Sequence, residues 1–223
     1  MRPKWMLAAM GLMVTMACGG GSPPPPAEEP APAGEAPAPP APSKEDPAVS
    51  PKTPRTGNPM VEMRTRLGTM KIELYADKAP KTVENFLQYA REGFYDGTVF
   101  HRVISGFMIQ GGGLTPDMSE KETRAPIENE ASNGLKNVRG SLAMARTGDP
   151  HSASSQFFIN TVDNPFLDFQ DESVRGWGYA VFGKVVEGLE TLDAIKKVST
   201  GSRDGQDDVP LDPVVIESVR ILN

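Results

Sequence analysis

Cysteine and histidine are scarce in this chain of 223 residues. Cys18 is its one cysteine, so no disulfide can form within the chain, and His101 and His151 are its two histidines. Soft metals such as zinc are held by sets of Cys and His side chains. We interpret the carboxylates around Glu128 and Glu130 as surface charges rather than as ligands of a hard cation. The sequence therefore predicts no metal site and no cofactor.

Runs of basic residues are also missing. Asp and Glu number 29 against 23 Lys and Arg, which gives a formal net charge of −6. A protein that binds nucleic acid needs a basic patch or stripe to displace the counterions of the phosphates. We therefore expect no nucleic acid among the partners.

The apolar stretch near the N-terminus is too short to cross a bilayer. It runs from Trp5 to Ala17 behind the positive charges of Arg2 and Lys4, whereas a spanning helix needs about 20 apolar residues. A short positive start followed by such a stretch is typical of an export signal. Residues 1–17 are predicted to be a signal peptide.

The signal ends on Ala17, a small residue directly before Cys18. This ending resembles the lipobox of bacterial lipoproteins, although Thr15 stands where Leu is usual. The resemblance implies that Cys18 carries the lipid and anchors the protein to the bacterial cell envelope. Gly19, which follows the cysteine, carries no charge that would retain the lipoprotein in the inner membrane. We therefore expect the protein to be anchored in the outer membrane, with its domain facing the periplasm. The alternative is an ordinary cleaved signal with an incidental cysteine.

Proline is concentrated in the segment that follows. Fourteen of the 22 prolines lie between Pro23 and Pro59, and large apolar side chains are too few there to offset the entropy of ordering. Residues 18–59 are predicted to be a disordered linker. At about 3.1 Å per residue in polyproline II, it would reach up to about 100 Å from a membrane. A Pro-rich ligand for another module is the alternative interpretation.

Residues 60–223 have the pattern of a folded domain. Apolar spacing predicts a helix opened by Ala79-Pro80 and ended by Gly93, and a second helix around Leu189, Leu192 and Ile195. Short strands are predicted at 61–66, 70–75, 99–104, 107–110, 141–145, 156–160, 179–184 and 214–222. Many strands with two isolated helices favour a closed antiparallel sheet, but periodicity does not choose between a barrel and a sandwich.

Four segments carry a family resemblance. The run FHRVISGFMIQGG at 100–112 is similar to the signature of the cyclophilins, the segments at 140–145 and 155–159 resemble that family's second and third site segments, and residues 79–86 match its first helix. The stretch GWGY at 176–179 is shared with the bacterial single-domain cyclophilins. The resemblance implies a mainly β fold, a closed eight-stranded antiparallel barrel capped by two α-helices, with a substrate groove on its outer wall.

The resemblance also implies an activity, peptidyl-prolyl cis–trans isomerisation, and a set of site residues. Arg102 would be catalytic. The proline pocket would be lined by Phe107, Met108, Phe158 and Leu167. The groove beside it would be formed by Gln110, Ala145, Arg146 and Gln156. Phe166 and Tyr179 would also contact the substrate. Three positions depart from the best-known eukaryotic pattern: Phe166 replaces a tryptophan associated with cyclosporin binding, Tyr179 a histidine and Arg146 an asparagine.

An arginine suits this chemistry. The C–N bond of a peptide resists rotation because the nitrogen lone pair is delocalised into the carbonyl. Arginine stays charged and presents fixed N–H donors, so a hydrogen bond to the prolyl nitrogen strengthens as the lone pair localises in the twisted state. His101 is interpreted as structural, since rotation needs no proton transfer.

Two other functions remain open at the level of sequence. The groove could hold Pro-containing segments of a partner without turnover, or the chain could act through its linker as an adhesin or envelope scaffold. Retention of Arg102 favours catalysis. We expect proline-containing polypeptides as substrates, a role in folding exported proteins, contact with the membrane through the lipid, and a monomer.

Overall fold

The computed structural model describes residues 57–222. Two α-helices lie in this part, α1 (Pro80–Arg91) and α2 (Leu189–Ile195). The strands in chain order are β1 (Met60–Thr65), β2 (Gly68–Leu74), β3 (Val99–Ile104), β4 (Met108–Gly111), β5 (Ser141–Met144), β6 (Phe157–Asn160), β7 (Val181–Glu187), β8 (Thr200–Arg203), β9 (Gln206–Pro210) and β10 (Val214–Leu222).

Eight of these strands close into a barrel. Their order around it is β1-β10-β3-β4-β6-β5-β7-β2, and every neighbouring pair is antiparallel. Closure leaves none of the eight with an unpaired edge. The predicted mainly β fold with eight barrel strands and two helices is confirmed, and the barrel is the right choice over the sandwich.

Alternation of side chains along the strands fills the barrel. Val61 and Met63 on β1 are fully buried, as are Met70, Ile72 and Leu74 on β2, while the residues between them are partly or wholly exposed. Because successive side chains of a strand point to opposite faces, one face of each strand supplies the core.

Helix α1 closes onto this core with its apolar face. Phe86 lies 5.6 Å from the ring of Phe157 on β6 and 5.4 Å from that of Phe182 on β7. Gly93, with φ of +66°, follows the helix end as predicted. These aromatic contacts tie the helix to the two strands that flank β5 in the barrel.

The N-terminus of α1 is capped from a distant loop. The Glu130 carboxylate accepts hydrogen bonds from the backbone N–H of Lys81 at 3.1 Å and of Thr82 at 2.8 Å, and from the Thr82 hydroxyl at 2.7 Å. Glu128 forms an ion pair with the Lys81 ammonium. In residues 57–222, no group of three or more His, Cys, Asp or Glu side chains is placed to hold a metal ion.

The strands β8 and β9 were not predicted. They form a separate two-stranded hairpin. Other boundaries differ slightly from expectation: β4 begins at Met108 rather than Phe107, and β7 begins at Val181 rather than Tyr179 and extends to Glu187.

The signal peptide, Cys18 and nearly all of the linker lie outside the described residues. None of the helices in residues 57–222 has the length and apolar character needed to cross a membrane.

Candidate active site

The outer face of the barrel carries a row of side chains that crosses four strands. Arg102 on β3 is paired with Gln110 on β4, Gln110 with Phe158 on β6, and Phe158 with Ala143 on β5. Their sequence neighbours Val103, Ile109, Phe157, Ile159 and Leu142 point the other way, into the core. Strand alternation therefore places one cation, one amide and one aromatic ring side by side on the outer wall.

A second, smaller hydrophobic cluster covers this outer wall. Its buried members are Met108, Ala143, Phe158, Leu167 and Val181, and Ile104, Phe107, Leu135, Ala145 and Tyr179 pack against it. An apolar cluster on the outside of a closed barrel adds nothing to the barrel interior. It instead forms the floor and walls of a surface site.

A cavity of about 150 Å³ opens in this cluster. It is lined by Arg102, Phe107, Met108, Gln110, Ala145, Arg146, Phe158, Leu167 and Tyr179. Sites for drug-sized ligands and cofactors usually occupy about 300–1,000 Å³, so this cavity suits a single small side chain. We call it the proline cavity, because the family resemblance implies a proline ring at this place.

Arg102 reaches the proline cavity from the partly exposed position that follows His101 on β3. Its Nε lies 3.8 Å from the Asp208 carboxylate, which the β8–β9 hairpin brings to the edge of the site. That separation exceeds ordinary hydrogen-bond length, so the carboxylate attracts the guanidinium without taking one of its donors. Sequence reasoning missed Asp208.

Arg146 is held beside Tyr179. Its Nε donates to the carbonyl oxygen of Gly178 at 2.9 Å, and its guanidinium carbon lies 4.7 Å from the centre of the Tyr179 ring. Gly178 has φ of +61°, and a Cβ there would lie 2.6 Å from the carbonyl oxygen of Leu167. Only glycine allows the chain to pass this close to the cavity wall.

A buried amide network fixes the opposite wall. Asn164 Nδ2 donates to the carbonyl oxygen of Phe107 at 2.9 Å and to Asn160 Oδ1 at 2.7 Å. Asn160 in turn donates to Asn137 Oδ1 at 3.2 Å, and Asn137 to the carbonyl oxygen of Leu167 at 3.1 Å. The network thus joins the backbones of two cavity residues that are sixty positions apart, which rigidifies the apolar wall.

His101 is buried and is not suited to acid–base catalysis. Burial lowers the pKa of its imidazole from 6.5 to about 4, a shift that a backbone hydrogen bond with Val99 opposes and the charge of Arg102 assists. The ring is therefore neutral at physiological pH. This agrees with its interpretation as a structural residue.

A hydrolase arrangement of His151 and the nearby serines is absent from residues 57–222. His151 Nδ1 accepts a hydrogen bond from the backbone N–H of Asn129 at 3.1 Å, and Ser152 Oγ donates to the carbonyl oxygen of Asp149 at 2.7 Å. Neither group is placed to activate the other as a nucleophile.

The structure brings most of the predicted site residues together. Arg102 and eight of the ten predicted substrate-binding residues line the proline cavity. Gln156 lies next to it, where its Oε1 accepts a hydrogen bond from Gln110 Nε2 at 2.9 Å. Phe166 stays outside the lining, 64% exposed, with its ring stacked on Phe107 at 5.6 Å.

Fold and site together define a class of protein: a closed β-barrel that presents a small apolar cavity, with an arginine in its wall, on its outer surface. The family model for cyclophilin type peptidyl-prolyl cis-trans isomerases matches residues 60–221. The chain belongs to this family, and its activity is peptidyl-prolyl cis–trans isomerisation.

Curated relatives agree with this assignment. A peptidyl-prolyl cis-trans isomerase of Streptomyces antibioticus is 62% identical over 162 residues, which make up 73% of this chain and 98% of the relative. Peptidyl-prolyl cis-trans isomerase B of Escherichia coli is 59% identical over 162 residues, 73% of this chain and 99% of the relative. Enzymes of this kind act on proline-containing peptides.

A solved structure has the same fold. The cyclophilin type isomerase of Cryptosporidium parvum is 32% identical to this chain and superimposes with a TM-score of 0.64, covering 74% of this chain and 98% of its own. Its structure in the presence of the dipeptide Ala-Pro gives a TM-score of 0.63.

Proposed function

We propose that the proline cavity is the place where this isomerase acts and that Arg102 is its catalytic residue. The observation that carries the proposal is the position of a permanently charged guanidinium in the wall of an apolar cavity the size of one small side chain. A proline ring fits the apolar part of the cavity. The prolyl nitrogen then lies close to the guanidinium of Arg102.

The mechanism needs no broken bond. Phe107, Met108, Phe158 and Leu167 bind the ring, and Gln110 and Gln156 offer polar atoms to the flanking backbone. As the X-Pro bond twists, the lone pair returns to the prolyl nitrogen, and the Arg102 hydrogen bond to it strengthens. Only an interaction that is stronger in the transition state than in the ground state raises the rate of rotation.

Replacement of Arg102 measures this contribution. A hydrogen bond to a charged group contributes about 1.5–3 kcal/mol, so Arg102→Ala should lower kcat/KM by about ten- to a hundredfold. The measurement is NMR magnetisation exchange between the cis and trans forms of an X-Pro peptide, with the purified protein and the variant compared at equal concentration.

The control is Arg102→Lys, which keeps the charge but lacks the rigid fork of donors. We expect it to recover only part of the lost rate. Both variants should keep the thermal transition of the parent protein, because Arg102 is partly exposed. A folded Arg102→Ala protein with undiminished activity would exclude Arg102 as the catalytic residue.

We further propose that the enzyme is lipid-anchored at Cys18 in the outer membrane, faces the periplasm and assists the folding of exported proteins. Support comes from the signal-like residues 1–17, the small residue before Cys18 and the Pro-rich linker. The family model begins at residue 60, so the tether lies outside the catalytic part.

Metabolic labelling with an alkyne fatty acid tests this anchor. The expressed protein should incorporate the label and sediment with the outer membrane. Cys18→Ser should abolish both, while its X-Pro isomerase activity stays unchanged. Label in the Cys18→Ser protein, or a parent protein released into the soluble fraction, would exclude the lipid anchor.

A further inference from the structure

A second cavity adjoins the proline cavity on the outer face of the barrel. It has a volume of about 160 Å³ and is lined by Gln110, Ala145, Arg146, Thr147, Ser152, Ser154 and Gln156. Gln110, Ala145 and Arg146 also line the proline cavity. A peptide whose proline ring occupies the first cavity therefore has a neighbouring residue within reach of the second, and Arg146 lies between the two.

Among residues 57–222, the guanidinium of Arg146 is held by neutral partners. Its Nε donates to the carbonyl oxygen of Gly178 at 2.9 Å, and its Nη1 donates to the carbonyl oxygen of Thr147 at 2.9 Å. The Tyr179 ring lies beneath it, 4.7 Å from the guanidinium carbon. These contacts orient the side chain without neutralising its charge.

Several other arginines of the domain are paired with carboxylates. Arg139 contacts Asp193 at 2.9 Å and Arg220 contacts Asp96 at 2.7 Å. Within residues 57–222, no carboxylate oxygen lies within 4.0 Å of the Arg146 guanidinium nitrogens. Asp149, in the loop after Arg146, accepts a hydrogen bond from the backbone N–H of His151 at 2.9 Å instead.

The remaining lining of the second cavity is polar but uncharged. Hydroxyl groups come from Thr147, Ser152 and Ser154, and amide groups from Gln110 and Gln156. Arg146 is therefore the one charged residue that the described part of the chain contributes to that lining. A preoriented, unneutralised guanidinium in a small polar cavity is suited to a carboxylate, because the side chain has already lost much of its freedom and the ligand supplies the missing charge.

We propose that Arg146 is a specificity-determining residue that makes this enzyme prefer X-Pro segments with an acidic side chain, Asp or Glu, close to the proline. The inference rests on the proposed function, since it requires the proline ring to occupy the neighbouring cavity. It adds a substrate class to that function: acidic proline-containing segments of client proteins.

A scan of peptides tests the preference. In a neutral host peptide with a single proline, Asp or its uncharged isostere Asn is placed at each of three positions before and two after the proline. NMR magnetisation exchange with the purified protein gives kcat/KM for each peptide. Because partly exposed ion pairs are modest, we expect Asp to be favoured over Asn by up to about fivefold at one position.

Salt and substitution distinguish recognition of charge from a structural role. The Asp/Asn ratio should shrink as NaCl is raised from about 0.05 M to about 1 M, over which the screening length falls several-fold. In Arg146→Gln the ratio should fall to about one, whatever happens to the rate on the neutral peptide, while Arg146→Lys should keep part of it. If Arg146 only supported the Gly178 loop, its replacement would change kcat/KM for all peptides by the same factor.

The matched control is Arg66→Gln. Arg66 is exposed in the β1–β2 turn and lines neither cavity, so the variant removes the same charge and should leave both the rates and the Asp/Asn ratio unchanged. Far- and near-UV circular dichroism and thermal melting check that each variant is folded.

Each outcome decides the matter. An Asp/Asn ratio of one at every position, with the Asn peptides clearly accelerated, overturns the preference and leaves the proposed function standing. A ratio that persists in folded Arg146→Gln assigns the preference to other residues and also overturns the inference. If none of the peptides is accelerated by the folded protein, the proposed function and the preference fall together.

Discussion

The two arginines of the proline cavity are held in different ways. Arg146 rests on carbonyl oxygens and an aromatic ring, whereas Arg102 faces a carboxylate, with Arg102 Nε and Asp208 Oδ2 3.8 Å apart. A hydrogen-bonded carboxylate at this place would compete with the prolyl nitrogen for the donors of Arg102. At 3.8 Å it orients the guanidinium by charge and leaves those donors free.

Removal of the Asp208 charge should therefore reduce catalysis. Exposed ion pairs contribute about 0–1 kcal/mol, so Asp208→Asn should lower kcat by about two- to fivefold and leave KM unchanged. Asn is the suitable substitution because Asp208 has φ of +62°, a left-handed conformation that Asn tolerates. Complete progress curves or NMR line-shape analysis over a range of peptide concentrations separate kcat from KM.

Asp204 supplies the control for this prediction. It lies in the same hairpin with φ of +51°, and its carboxylate lies 3.5 Å from Arg203 rather than near Arg102. Asp204→Asn makes the same change of charge and should leave kcat at the parent value. If Asp208→Asn were as active as Asp204→Asn, the carboxylate of Asp208 would have no part in orienting Arg102.

At the scale of elements, hydrophobic periodicity predicted the barrel strands and helices but missed the β8–β9 hairpin. The reason is that few of its side chains are buried: Val209 and Pro210 in β9, and none in β8. The signal that could have found it is the Asp204-Gly205 dipeptide. Both residues have positive φ, as a two-residue hairpin turn of the type I′ requires.

The arrangement of the candidate site depends on strand order, which residue patterns do not determine. The motif residues of β3 and β4 are neighbours in sequence, but Phe158 reaches Gln110 because β6 follows β4 around the barrel, with β5 beyond it. The family resemblance supplied these residues, because periodicity alone does not distinguish Met108 and Phe158 from core positions. Neither the resemblance nor periodicity indicated Asp208, since an aspartate in a short polar strand has no pattern that points to Arg102.

At the scale of the whole molecule, stability should depend on pH through one buried group. His101 is 5% exposed on β3, and its imidazole Nδ1 has no hydrogen-bond partner in the described part of the chain. Its pKa is lowered from 6.5 to about 4, chiefly by burial. The folded barrel therefore keeps the ring neutral down to about pH 4, whereas the unfolded chain protonates it near pH 6.5.

The sign follows from proton uptake. Between pH 6.5 and about 4 the unfolded state binds more protons at His101 than the folded state does, so the free energy of unfolding falls as the pH is lowered through this window. His101 takes nothing from the free energy of unfolding above about pH 6.5, and the loss amounts to about 3 kcal/mol by pH 4. Urea denaturation at about pH 7, 5.5 and 4 measures this loss. The carboxylates titrate in the parent protein and in a His101 variant alike, so the difference between the two reports His101.

His101→Gln removes the titrating group and should lose correspondingly less stability over this pH window, whatever its stability at pH 7. A buried amide has its own cost at neutral pH, so the comparison is between the slopes and not between the absolute values. His101→Asn should give the same shallower slope, which separates the loss of titration from the particular shape of either side chain. Parallel pH dependences for the parent protein and both variants would mean that protonation of His101 does not oppose folding, and acid sensitivity would then have to arise from the carboxylates.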